Sequence, residues 1–345
     1  MNRFRKVIVL MLLTGLLTVQ GGRERRAYAN DDAVAAGAQV ILKVATVAPR
    51  IPEIARRSKL FNEQLAQETN GRVQFRTYWG GVAGDDTTIV RKLRTGQIDA
   101  APLGIEIISN YVRQASVLIA PQTFYNYKQV DAVRKELGPE FAEEAYKNGA
   151  KILSWWDAGR VRIFSKQPIR TFEDLQKGRP WLYPSSQLLK EFYKMTNVTG
   201  VPLDVSEVYG GLQTGMIDTV WISSVLAAIL RWSSHTNYVS DPVNVIQGAF
   251  VVRREAWESL NEHEREVIEK LSAKQLVETQ KDLRKGDETS YAKLVKRGMV
   301  PVPFTNVDRW RAAGAQLRTK MIGRIYTKEM LERVETITKR YADET

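Results

Sequence analysis

The 345-residue chain has no cysteine and only two histidines, His235 and His263. Thiolate nucleophiles, disulfides and cysteine zinc sites are thereby excluded, and a histidine metal triad cannot be assembled. Beyond the N-terminus no run of 18 consecutive apolar residues occurs, so no later segment has the length of a membrane-spanning helix. The loop Gly80-Gly81-Val82-Ala83-Gly84 lacks the Gly-Lys-Ser/Thr ending of a phosphate loop and the spacing of a dinucleotide fingerprint. Charge of one sign is not concentrated either. The net charge is +12, from 51 basic and 39 acidic residues, but the first 29 residues hold six Lys/Arg and one Glu. The remainder carries 45 basic and 38 acidic residues, a net +7 with no basic stripe interleaved with aromatics, which argues against a nucleic-acid partner. No cofactor, metal or enzymatic activity is expected.

What is present begins with an address. Arg3, Arg5 and Lys6 precede an apolar run from Val7 to Val19, and Ala27-Tyr28-Ala29 is an A-x-A cleavage site. This is the pattern of a secretory signal peptide over residues 1–29, cut near Ala29. It predicts a periplasmic mature protein without stable membrane insertion.

Ile41 to Val47 is an apolar run that suits a buried strand, and Pro52 to Asn70 has Ile54, Phe61 and Leu65 at helical spacing with Asn70-Gly71 as a stop. Val73, Phe75 and Thr77 alternate with polar or amphipathic neighbours as in a strand. Strand, helix, strand predicts an α/β fold with a mostly parallel sheet. Residues 82–99 (VAGDDTTIVRKLRTGQID) then align without a gap on residues 201–218 (VPLDVSEVYGGLQTGMID), with seven of eighteen positions identical. Each copy reads as a helix stopped by glycine, then a strand opening on Ile-Asp, so the repeat predicts two similar α/β lobes. Asp99 and Asp218 at the symmetric positions are expected to bond backbone groups of their turns. From Asn261 to Gly298 a helix with Val267, Ile268, Leu271, Val277, Leu294 and Val295 as its apolar stripe either braces both lobes or breaks near Gly286.

Taken in order, ATVAP (45–49), NGRVQFRTYWGGVAGD (70–85), GQIDAA (96–101), SKQPIRTFEDLQKGR (165–179) and SEVYGGLQTGMID (206–218) resemble the periplasmic solute receptors of TRAP transporters, the dicarboxylate-receptor type within family 7 of the bacterial extracellular solute-binding proteins. The resemblance runs from about Ile41 to Met299. It implies a two-lobed periplasmic-binding-protein-like α/β fold, with a ligand cleft between lobes joined by crossing strands and a long bracing helix. It also implies a receptor that closes on a small organic solute and delivers it to TRAP membrane permease subunits driven by an ion gradient. The expected lobes are 30–159 with about 247–285, and 160–246 with about 286–345.

In the family an arginine in a G-x-K-x-R-x-P stretch clamps the solute carboxylate, since a guanidinium fork matches a carboxylate bidentately. Here Gly178 to Pro184 places Leu182 at that position. The second family arginine, counted back from Ser165, falls on Val161 between Arg160 and Arg162. Strand alternation turns those neighbours away unless a bulge intervenes, so they are candidate anion contacts only in that case. Arg50, in the loop after the first strand, is a ligand candidate because strand C-termini of an open α/β sheet face the crevice. Trp156, Tyr209, Trp221, Ser223 and Ser224 complete the expected pocket, with Trp155 and Trp181 as weaker stacking candidates. The expected solute is neutral, aromatic or largely apolar, with room for one carboxylate. The alternatives are a small organic acid held by Arg160, Arg162 and Arg50, or a sensor or scaffold subunit built on the same fold.

Overall fold

The computed structural model describes residues 37–341; the signal-peptide segment and its cleavage site lie outside them. Strand β1 (Val40–Ala45) pairs parallel with β2 (Val73–Tyr78), from Val40 opposite Val73 to Ala45 opposite Tyr78. The connection is the helix Pro52–Glu68, which starts on a proline and buries Ala55, Phe61 and Leu65 against the sheet. Asn70 (φ 51°) and Gly71 (φ 77°) then turn the chain in the left-handed region, as the Asn-Gly stop predicts. After the helix Asp86–Arg94 comes β3 (Ala100–Gly104), parallel to β1.

Two long strands carry the sheet onward. β4 (Ala150–Ser165) runs antiparallel beside β9 (Asn244–Arg253); β9 also pairs with β3, while the far half of β4 pairs with β7 (Thr219–Ser223) and β8 (Tyr238–Ser240). β10 (Val300–Val302) closes the edge beyond β8, and β5 (Trp181–Leu182) with β6 (Val201–Pro202) forms a small parallel ladder. The result is the two-lobed α/β fold on a mixed sheet rather than the mostly parallel one expected, because every pairing of β4 and β9 is antiparallel.

The repeat is structural. The helix Asp86–Arg94, Gly96 (φ 71°), β3 and the short helix Ile105–Ile108 recur as Val208–Thr214, Gly215 (φ 78°), β7 and Ser224–Ile229. The two aspartates have one role, though not the expected one: each bridges to the backbone of a neighbouring segment, Lys43 of β1 or Arg179 ahead of β5, rather than to its own turn. Asp99 N–H donates to Lys43 O (2.8 Å) while Lys43 N–H donates to the Asp99 carboxylate (3.0 Å). Asp218 N–H likewise donates to Arg179 O (3.0 Å), and Arg179 N–H to the Asp218 carboxylate (2.8 Å).

The helix Glu262–Lys296 runs unbroken through Gly286 for 35 residues, about 52 Å at 1.5 Å per residue. An Asn261–Glu264 capping box starts it, and it packs along β4 and against the helices Pro52–Glu68 and Ser224–Ile229. Its stripe is narrower than the sequence suggests, because Val277 is 69% exposed. Helix Val307–Lys320 packs on helix Gln187–Met195. The last helix, Lys328–Lys339, docks on Tyr127–Lys147, with the ion pairs Arg333–Glu140 and Arg340–Glu136 between them.

Candidate ligand-binding site

Strands β1 and β3, and β7 of the second repeat copy, end at a cavity of about 640 Å³. Thr46 to Pro49 reach it from β1, Pro102 and Gly104 from β3, and Trp221 from β7. Trp156 and Val161 of the crossing strand β4 also line it. The Trp156 ring lies across Gly248 of β9, where a Cβ would collide with Trp156 Cζ2 and the Leu103 carbonyl; glycine there lets the indole lie flat on the sheet.

The inward sequence along β4 explains the arginines. Ser154, Trp156 and Ala158 line the cavity in simple alternation, and then the register against β9 shifts between Asp157 and Arg160. Gly159, at φ 96°, sits in that irregularity, and the shift resets the parity so that Val161 faces inward. Arg160 N–H donates to Asp287 Oδ2 (3.0 Å), and its guanidinium lies 3.8 Å from Glu288. Arg162 donates to Ser240 O (2.9 Å) and stacks 4.1 Å over the Tyr291 ring. A bulge exists, but it turns both arginines toward the long helix and β8 rather than into the cavity.

The remaining expected residues divide. Trp221 lines the cavity, donates from Nε1 to Tyr193 Oη (2.8 Å), and meets Phe192 edge-on at 5.8 Å. Ser223 and Ser224 are fully buried and lie off the wall. Tyr209 packs against His235, with ring centroids 5.0 Å apart, away from the cavity. Leu182 turns toward Gly200 beside Tyr193, while its neighbours Trp181 and Tyr183 face the cavity; the alternation of an extended segment puts the count one residue off the wall. Arg50 is not on the wall, although Pro49 and Ile51 beside it are.

Sequence reasoning missed the ionisable groups that do line the cavity: Arg57, Asp86 and Glu106. Arg57 is taken up by Glu53 (3.1 Å), Glu278 (3.3 Å) and Asp282. Asp86 accepts from the Tyr183 hydroxyl at 2.6 Å. Burial pushes the Asp86 and Glu106 carboxyls above the ordinary carboxylate range, and the Asp86 charge adds to the effect on Glu106. Burial and the same two carboxyls push the Tyr183 phenol up as well. The signal for Asp86 was its place at the end of a glycine-rich loop; for Glu106 there was none.

The family model for bacterial extracellular solute-binding proteins, family 7, matches residues 44–323. The chain belongs to this family. A solute-binding protein of Chromohalobacter salexigens is 24% identical over 269 residues, covering 75% of this chain and 76% of its own. A TRAP periplasmic solute-binding protein of Xanthobacter autotrophicus, solved with bound β-D-galacturonate, shares the fold at a TM-score of 0.79 and 18% identity, over 86% of this chain and 99% of its own. One from Pseudomonas putida, solved with D-glucuronate, gives 0.76 and 19%, over 88% and 97%. The protein is an extracellular solute-binding protein, not an enzyme, and it shares the fold of TRAP periplasmic receptors.

Proposed function

We propose that this receptor captures a small organic solute with an apolar or aromatic body and passes it to a TRAP permease, without clamping a carboxylate. One observation carries the reading: among the described residues the cavity wall has no available guanidinium, since Arg160 and Arg162 point away and Arg57 is matched by three acids. A carboxylate desolvated there without a partner would lose several kcal/mol. The wall instead offers Trp156, Val161, Trp181, Phe192 and Trp221. The bound sugar acids of the solved relatives favour the rival reading, a small organic acid held by an arginine.

Calorimetry with matched carboxylic acids and their methyl esters decides between them. The ester should bind at least about tenfold tighter than the acid, and Val161→Arg should narrow or reverse that difference. Tighter binding of the acid, abolished by Arg50→Ala, overturns the reading in favour of the clamped acid.

In this function the lobes close on the solute, with boundaries near 159/160 in β4, 246/247 in β9 and 285/286 in the long helix. Support comes from convergence: the register shift of β4 lies opposite residues 245–247, and Asp287 of the long helix binds Arg160 N–H there. The signal peptide, cut near Ala29, would deliver the chain to the periplasm.

A further inference from the structure

The polar groups of the cavity are unbalanced in kind. Asp86 and Glu106 are carboxyls, and among the described residues neither forms an ion pair with a basic side chain. Gln247, 1% exposed and on the same wall, donates from Nε2 to Leu118 O (2.9 Å). That bond fixes the orientation of the amide and leaves Oε1, buried and with no protein partner, as a further acceptor. Gln122 Oε1 on the same wall is a second fully buried acceptor without a protein partner, and against these two, among the described residues, stands one fully buried unpartnered donor, the Nε1–H of Trp156. Fully buried unpartnered atoms that are mostly acceptors, beside two carboxyls, match a ligand that donates hydrogen bonds.

Geometry places the carboxyls beside the aromatic floor. Glu106 Oε2 lies 3.5 Å from the Cβ position of Gly104; Gly104 pairs with Gly248, and the Trp156 indole lies across Gly248. Asp86 is held by the Tyr183 hydroxyl, and Tyr183 lines the same cavity. A cation between the carboxyls would be matched in charge, and the ring faces of Trp156 and Tyr183 also favour positive charge. Burial raises both carboxyls, the expected state of a pair awaiting a counter-ion.

We propose that the cavity selects solutes carrying a protonated amine, seated by the carboxyls of Asp86 and Glu106 with the solute's apolar body on Trp156 and Trp221. The inference rests on the reading of an apolar, arginine-free pocket and adds the charge of the solute's head group.

The test is calorimetric binding of 2-phenylethylamine, 2-phenylethanol and 3-phenylpropionate, which share one aromatic body and one spacer, to the purified protein. The amine should bind at least about tenfold tighter than the alcohol, and Glu106→Gln or Asp86→Asn should remove most of that advantage. Equal binding of amine and alcohol in the wild type, both ahead of the acid, overturns the amine seat and leaves the apolar pocket standing. An amine preference that survives both substitutions also overturns the seat. Tightest binding by the acid, or no binding of any probe in the millimolar range, overturns seat and apolar reading together. The wild-type comparison needs no variant to fold, and a circular dichroism melt checks each variant used.

Discussion

Glu106 is a carboxyl in a desolvated place, and that has a cost the fold bears. Its folded-state value lies above the ordinary one, so the ionised form is disfavoured in the native protein relative to the unfolded chain. The penalty is fully present above the raised value and disappears below the unfolded one. Glu106→Gln should therefore raise the melting temperature at neutral pH, with the gain shrinking as pH falls through the raised range to the ordinary carboxylate value. Melts across that span check it; a gain that grows on acidification contradicts the assignment. Gly248→Ala should act oppositely at every pH. Its methyl would meet the backbone carbonyl of Leu103 as well as the Trp156 ring, and the backbone cannot yield as a side-chain end can. A loss of about 2–3 kcal/mol in denaturant unfolding is expected, with quenched or shifted indole emission as Trp156 is displaced. Residue identities at this scale were only partly legible in the sequence. Trp156 and Trp221 could be placed on the wall as aromatic residues near strand ends, which follow from local geometry, and Val161 by the count to the second family arginine, not by alternation, which the register shift breaks. Glu106 could not, since its place depends on the pairing of β3 with β9, 144 residues apart at Gly104 and Gly248.

Among elements, the repeat announced itself through glycine stops and the Ile-Asp pair, whose local physics is written into a few adjacent residues. The long helix was equally visible, through its cap and length, but whether it continued past Gly286 was not. Helix propensity at one glycine is worth about 1 kcal/mol, which tertiary packing against β4 and the helix Ser224–Ile229 overrides. The register shift in β4 was also illegible, because nothing in DAGRV distinguishes a bulge from an extended run until β9 lies beside it. Asp287 stabilises that irregularity from outside the strand. Its carboxylate accepts from Arg160 N–H (3.0 Å) and Val225 N–H (3.2 Å), joining the crossing strand to the helix after β7. Asp287→Ala leaves both amides without that acceptor and should cost about 2–4 kcal/mol. Asp287→Asn keeps one acceptor oxygen and should recover part of the loss. If both variants unfold at the wild-type denaturant concentration, the carboxylate does not hold the bulge.

At the scale of the whole molecule, both repeat copies border the cavity, and a side-chain bond ties the first copy to the segment after β5 beside it. Tyr183, following β5, donates to Asp86 at the start of the helix that leads to β3. A polar space of about 400 Å³, bordered by the loop Gly80–Gly84 on one side and Ser185, Asp204 and Ser206 on the other, lies around that bond. If the lobes open by a hinge at the β4 and β9 crossing, this contact is one that opening would break. Tyr183→Phe keeps the ring and removes the donor. A hydrogen bond to a buried carboxylate contributes about 1.5–3 kcal/mol, so the balance between closed and open forms should shift by about tenfold or more toward open. Small-angle scattering of the unliganded variant should then show a larger radius of gyration than the wild type. A saturating ligand that bridges the lobes by its own contacts should restore the compact value. An identical scattering curve for variant and wild type without ligand would mean that the closed form is held by the hinge itself, and that the Tyr183–Asp86 bond follows closure rather than favouring it.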